Sequence, residues 1–348
     1  MEFQSIDVYK KSVKYFGIFY ILMILGAIPT ILGVSQDPDA FSKYSFYVLY
    51  NVTFQGNDIY FTAGMIYQSV LMVLFTMFIR IKWTIVREAP EHEDKHPYSK
   101  KSRIIRRIFS FAVSLSLLGI ILGLTLYFYI YFKDNKSVKV AYSEMDARDV
   151  GVGIMFFFLT YLTEPIIYRL VSLEVHDKLS KDESALYWKK IIHRVLVLYI
   201  FTVVTAFTMT KQYCYLTNVI LVYLLSDFFL RGLFGMFLPW LDPIYRKKQV
   251  RLSEEYSDII FKFYVSVVYT NLMPTISIVA LLSLIWNRLF LNIRLKHEEV
   301  PIESGVKLTK HVWASILMCV LMSVFFTNFA TTFLYANSRA IIQPFCFP

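Results

Sequence analysis

The apolar residues of this chain come in unbroken blocks of about twenty, the length at which a helix rising 1.5 Å per residue crosses a hydrocarbon core of roughly 30 Å. Nine candidate blocks can be traced, the seventh of them short and the fifth beginning with charges: Tyr15 to Val34, Phe61 to Ile79, Ile108 to Phe132, Val150 to Leu170, Ile191 to Met209, Val219 to Leu238, Ile259 to Thr270, Thr275 to Leu291 and Val312 to Leu334. Lipid offers the backbone no hydrogen bonds, so blocks of this length must be helices rather than open strands. An all-α, polytopic membrane protein is expected, a single transmembrane domain over residues 1–348. Composition agrees: of 348 residues, 56% are hydrophobic and only 18% charged, against about 25% charged in soluble domains. The opening MEFQSIDVYKKSVK is polar and too long for the n-region of a cleaved signal, and no A-x-A-like site follows. The first span is therefore expected to stay in the mature protein.

Charge sets the orientation. Alternate segments, beginning with the N-terminus, hold 28 of the 36 Lys and Arg residues, the other set holds 7, and Lys262 lies inside the seventh span. Short cytoplasmic loops retain such residues, which places the N-terminus in the cytoplasm. The two N-x-Ser/Thr sequons, at Asn51 and Asn135, both fall in loops on the other side and are glycosylation candidates. Cys214 and Cys346 fall on that side too, either as a disulfide or as two free thiols, while Cys319 lies in the ninth span. The expected location is the plasma membrane.

Ionised side chains within a span cost roughly 2.5 kcal/mol or more and normally face protein, water or a partner. They are unevenly distributed here. Spans two, three and nine are clean, whereas Glu164, Asp227, Arg231, Lys262 and Asn271 all fall in spans four to eight, and Pro165, Pro239, Pro243 and Pro274 gather there as well. One reading is a wet groove formed by residues of about 150–295. The plainer reading pairs Asp227 with Arg231 four residues on, lets Glu164 reach headgroups or Arg169, and lets Lys262 snorkel to the inner interface.

Other motifs carry less. His92-Glu93-Asp94-Lys95-His96 matches H-E-x-x-H but sits between Pro90 and Pro97 with no third ligand in view. Gly119-x-x-x-Gly123 is expected to serve packing within the chain. The basic run Lys100, Lys101, Arg103, Arg106, Arg107 could bind anionic lipid, and the positive-inside rule alone would also explain it. No P-loop, nucleophile elbow or dinucleotide motif occurs. No enzymatic activity, catalytic residue, metal, cofactor or nucleic-acid partner is expected.

Several stretches resemble the transmembrane channel-like (TMC) family, within the superfamily that includes anoctamins and OSCA-type channels. Leu173-Glu174-Val175-His176 leading into residues 189–207 is similar to that family's link between spans four and five. Asp227-Phe228-Phe229-Leu230-Arg231-Gly232-Leu233-Phe234 resembles the segment closing its sixth span, Tyr256 to Leu295 its seventh and eighth spans, and Glu299-Val300-Pro301 with Lys307 its linker to the ninth. The resemblance implies a mechanically gated pore passing monovalent cations and calcium ions along a groove lined by spans four to eight. It also implies membrane-lipid contacts and pairing of subunits, as a homodimer or with accessory subunits. There are departures. The family's Cys-Trp-Glu-Thr survives only as Cys214-Tyr215-Leu216-Thr217, Arg246-Lys247-Lys248 precedes the seventh span, a full anoctamin-type set of calcium-binding acids is missing, and nine spans are expected where the family has ten. Cation selectivity is therefore left open, and a phospholipid scramblase or a non-conducting accessory subunit stand as alternatives to the channel.

Overall fold

The backbone follows the apolar blocks. The computed structural model describes residues 3–36, 58–84, 100–133, 147–176, 179–208, 213–234, 251–269, 276–297, 308 and 310–323; among them the chain is helical almost throughout and no strand occurs. In chain order the helices are α1 (Phe3–Gln36), α2 (Asp58–Thr84), α3 (Lys100–Lys133), α4 (Ala147–Leu162), α5 (Glu164–Glu174), α6 (Leu179–Thr208), α7 (Tyr213–Leu225), α8 (Leu252–Tyr269), α9 (Ile276–His297) and α10 (Lys310–Ser323). Among the described residues, three stretches are long and apolar enough to cross a membrane: Lys101–Tyr131, Val150–Glu174 and Ile276–Ile293.

Two interruptions have local causes. Pro165 has no N–H to donate, and its ring would meet the carbonyl four residues back, so the helix cannot run unbroken through Thr163. The hydroxyl of Thr163 donates to the Thr160 carbonyl at 2.7 Å, and the Ile167 amide returns to the Thr163 carbonyl at 2.9 Å as α5 begins. At the far end of α7 the chain widens into a π-helical turn, Ser226–Leu230. Such turns carry one residue more than an α-turn and leave carbonyls short of partners. Side chains of α9 supply them: Ser283 Oγ donates to the Phe228 carbonyl at 3.3 Å and Trp286 Nε1 to the Phe229 carbonyl at 3.4 Å.

α8 is the centre of the assembly. Every residue of it except Glu254 and Glu255 is buried, and it packs against α6, α9 and α1. Phe263 from α8 meets Phe19 of α1 (centroids 5.1 Å apart) and Phe75 of α2 (5.8 Å). Around this centre two pairs of helices run parallel. In the α6–α8 pair Lys190 lies beside Glu254 and Thr202 beside Tyr269. In the α4–α7 pair Phe156 stacks on Tyr223 at 4.3 Å. With α4 and α5 taken as one broken stretch, each pair is separated by one intervening stretch, and parallel packing of such pairs is what an up-and-down alternation across a bilayer produces. α4 and α7 approach closely at Gly153, where a Cβ would lie 2.7 Å from Val222 Cβ and 2.9 Å from the Val219 carbonyl oxygen.

The outer faces carry large apolar side chains in the open, including Leu74 and Met77 of α2, Ile120 and Ile130 of α3, and Leu282 and Leu289 of α9. A surface this greasy is suited to lipid rather than water. Gly119 and Gly123 belong to that open surface: nothing stands within 4 Å of a Cβ built on either. The expected packing role of this glycine pair is not met among the described residues.

Candidate functional site: an alternating chain of charges

Four-residue spacing puts side chains on one face of a helix. α6 carries Lys190 and Arg194 at that spacing, and α8 carries Glu254, Asp258 and Lys262. Because the helices run parallel, the two stripes meet rung by rung. Lys190 Nζ lies 3.0 Å from Glu254, and both terminal nitrogens of Arg194 lie 3.2 Å from Asp258 Oδ1. The seam continues towards the loop end, where Arg251 meets Asp182 at 3.0 Å and Glu183 at 3.6 Å. Burial pushes the Glu183 carboxyl upward there, against the Ser253 amide and the Arg251 guanidinium, which favour its ionised form.

Other elements close the network. The π turn carries Asp227, which accepts from Arg194 and, at 3.0 Å, from Nε of Arg231 on the following turn. The break before α5 places Glu164 in the first turn of a new helix, where a negative charge suits the helix dipole. From there it pairs with Arg231 and stands 3.6 Å from Lys190. Lys262 lies 2.6 Å from Asp258, whose carboxylate also accepts from the Asn287 amide of α9. Aromatic faces cover two of the cations, with Arg194 4.1 Å from the centre of the Phe261 ring and Arg231 5.6 Å from that of Tyr161.

Read along its contacts, the site is a single line of alternating sign: Glu254, Lys190, Glu164, Arg231, Asp227, Arg194, Asp258, Lys262. Four acids face four cations, so its formal charge is zero. Asp227 and Lys262 are wholly shielded from solvent, and the side chain of Glu164, at 23% exposure, is the most open member. Every interior member touches two neighbours of opposite sign, so a small helix displacement can exchange partners without stranding a charge.

Of the residues singled out by sequence, the structure gathers Glu164, Asp227, Arg231 and Lys262 in this one line. The Asp227–Arg231 pair forms as expected from its spacing. Lys262 does not snorkel: it is fully buried against Asp258, because α8 is enclosed on all sides and gives its stem no route to an interface. Glu164 meets Arg231 and Lys190 in place of the headgroups or Arg169 expected for it. Asn271, Asn51, Asn135, Cys346 and the His92–His96 motif lie outside the described residues, as does the side chain of Cys214. Cys319 is a buried free thiol.

No protein-family model matches the chain, and neither does any curated protein. The residues that sequence reasoning missed are Lys190, Arg194, Glu254 and Asp258. Lys190, Glu254 and Asp258 lie just before the apolar blocks that begin at Ile191 and Ile259, and Arg194 lies within the first turn of its block, so each reads as charge at the edge of a span. Their four-residue spacing, on two helices expected to run in the same direction, was the available signal.

Proposed function

We propose that the chain is an ion channel subunit of the plasma membrane, with nine spans and a cytoplasmic N-terminus, in which spans four to eight form a groove that passes cations when membrane tension separates them. The supporting observation is the alternating line of eight charges, which joins α5, α6, the π turn and α8, with α9 added through Asn287, in one neutral, buried network. In this reading the structure is the closed state. The charges that would face permeant ions are held against each other, and opening exchanges protein partners for water and ions. Membrane tension favours whichever state occupies more area, and moving the α5–α6–α8 contacts apart widens the protein in the membrane plane.

The test is patch recording from liposomes that contain only this chain. Stretch-evoked cation current is expected, and Asp227→Asn, which frees Arg194 and Arg231 from a shared anchor, is expected to lower the tension for opening and weaken cation preference. Absence of any tension-evoked current from correctly folded protein refutes the reading. The complete neutralisation of the network favours one other function, a non-conducting subunit whose charges serve only to fix its helices. Such a protein would stay silent in the same patches and would co-purify with a separate pore-forming chain.

A further inference from the structure

At 34 residues, α3 is roughly 51 Å long, well beyond the roughly 30 Å of a hydrocarbon core. Its clean apolar run begins at Ile108, so the preceding two turns project from the membrane on the side to which the charge distribution assigns the cytoplasm. Those turns bear Lys101, Arg103, Arg106 and Arg107, with no acid in the first turn. Ile104, Ile105, Ile108 and Phe109 stand among them, each more than half exposed.

One of these cations also belongs to an internal cluster. Arg107 donates to Nδ1 of His176 at 3.3 Å, and Nε2 of the same ring donates to Glu174 at 2.9 Å. Glu174 pairs with Lys189 of α6, which donates to Ser110, one turn beyond Arg107 on α3; the Ser110 hydroxyl in turn reaches the Leu170 carbonyl at 3.2 Å. The cluster thus ties α3, α5 and α6 together around an elbow. Val175, the residue between the carboxylate and the imidazole, is held at φ 50°, a left-handed conformation unfavourable for a β-branched side chain. That conformation lets residues 174 and 176 face each other.

We propose that the projecting start of α3 is a docking site for an anionic phospholipid headgroup, and that Arg107 couples its occupancy to the α5–α6 elbow. The charge is complementary to the anionic cytoplasmic leaflet. Ile108 and Phe109, exposed where the apolar run begins, select a lipid over a soluble phosphate, since acyl chains cover them and a free anion does not. A phosphate is a stronger partner for a guanidinium than a neutral imidazole is. Lipid capture therefore draws Arg107 from His176 and loosens the cluster that holds Val175 left-handed.

Binding of fluorescent phosphatidylserine and of phosphatidylcholine with the same acyl chains, to the purified full chain in detergent, tests the site without reference to conduction. The serine lipid is expected to bind at least tenfold tighter. Replacing Lys101, Arg103 and Arg106 in turn by Gln lowers that preference roughly fivefold per charge, while Arg103→Lys and Arg106→Lys keep it. Equal binding of the two lipids, a preference indifferent to the Gln variants, or displacement by millimolar inorganic phosphate as effective as by unlabelled lipid overturns the site. In nanodiscs, amide exchange at residues 173–176 should be faster with phosphatidylserine than with phosphatidylcholine alone, and fast in both for Arg107→Gln. Exchange that ignores the lipid overturns the coupling.

Discussion

Replacing Arg194 by Met cuts the charge line between Asp227 and Asp258. The substitution keeps the volume and the apolar stem while removing the links to Asp227 and Asp258. Two fragments remain. Asp258 with Lys262 is neutral, but Glu254, Lys190, Glu164, Arg231 and Asp227 together carry one uncompensated negative charge. Leaving such a charge buried costs about 3–5 kcal/mol, and at about 2 °C per kcal/mol for a large chain the apparent Tm should fall by roughly 6–10 °C. Asp227→Asn alone has a similar cost for the opposite reason: it strands a positive charge among Arg194, Asp258 and Lys262. The two substitutions together leave both remaining fragments neutral. The double variant should therefore be more stable than either single one, with an apparent Tm within roughly 4 °C of the unaltered protein. Thermal unfolding of all four proteins in one detergent, followed by tryptophan fluorescence, measures the cycle. If the two losses simply add, or if Arg194→Met shifts the Tm by under about 2 °C, the residues are individually solvated and the balanced-line argument fails.

Two further outcomes follow from other parts of the fold. Gly153→Ala puts a methyl group against Val222 and the Val219 carbonyl, so it should cost about 1–3 kcal/mol; Val222→Ala should restore only part of this, because the backbone oxygen remains, and full restoration in unfolding experiments would disprove the close approach. On α10, His311 accepts at Nδ1 from Trp188 Nε1 at 3.0 Å, a bond that requires that nitrogen to be unprotonated. Burial, with the Lys310 charge, holds its pKa below the ordinary 6.5. The stability it contributes should be full above that value and lost as pH falls through the depressed one, so the Tm gap between the unaltered protein and His311→Phe should narrow on acidification. A gap that widens refutes the assigned tautomer.

Much of this architecture is legible from residue order. Apolar block length gives helices, and Pro165 marks the break that places Glu164. The clustering of Glu164, Asp227, Arg231 and Lys262 was visible as an excess of intramembrane charge in one half of the chain. Their pairing was not. Asp227→Arg231 is a local relation that spacing reveals, whereas Arg194 to Asp227 and Lys190 to Glu164 depend on which helix lies beside which. The fate of Lys262 shows why this matters: the same side chain would snorkel from a peripheral helix and must be paired on a central one, and centrality is a tertiary property. The π turn was equally hidden, because its stabilising partners Ser283 and Trp286 come from a helix some fifty residues later.

The enclosure of α8 bears on how such a chain is made. Standing alone in a bilayer, this helix would carry the Asp258–Lys262 pair at the edge of its apolar stretch with no partner for the excess acid Glu254, a penalty below the roughly 2.5–3.5 kcal/mol of a charge at mid-depth. Lys262 has its partner Asp258 on the same helix, but the cations that pair with Glu254 and Asp258 sit on α6, which is synthesised earlier. The segment is thus poorly suited to leave the insertion machinery by itself and well suited to leave in the company of helices already waiting there. A variant that deletes those earlier charges should accumulate as nascent chain in which α8 fails to integrate.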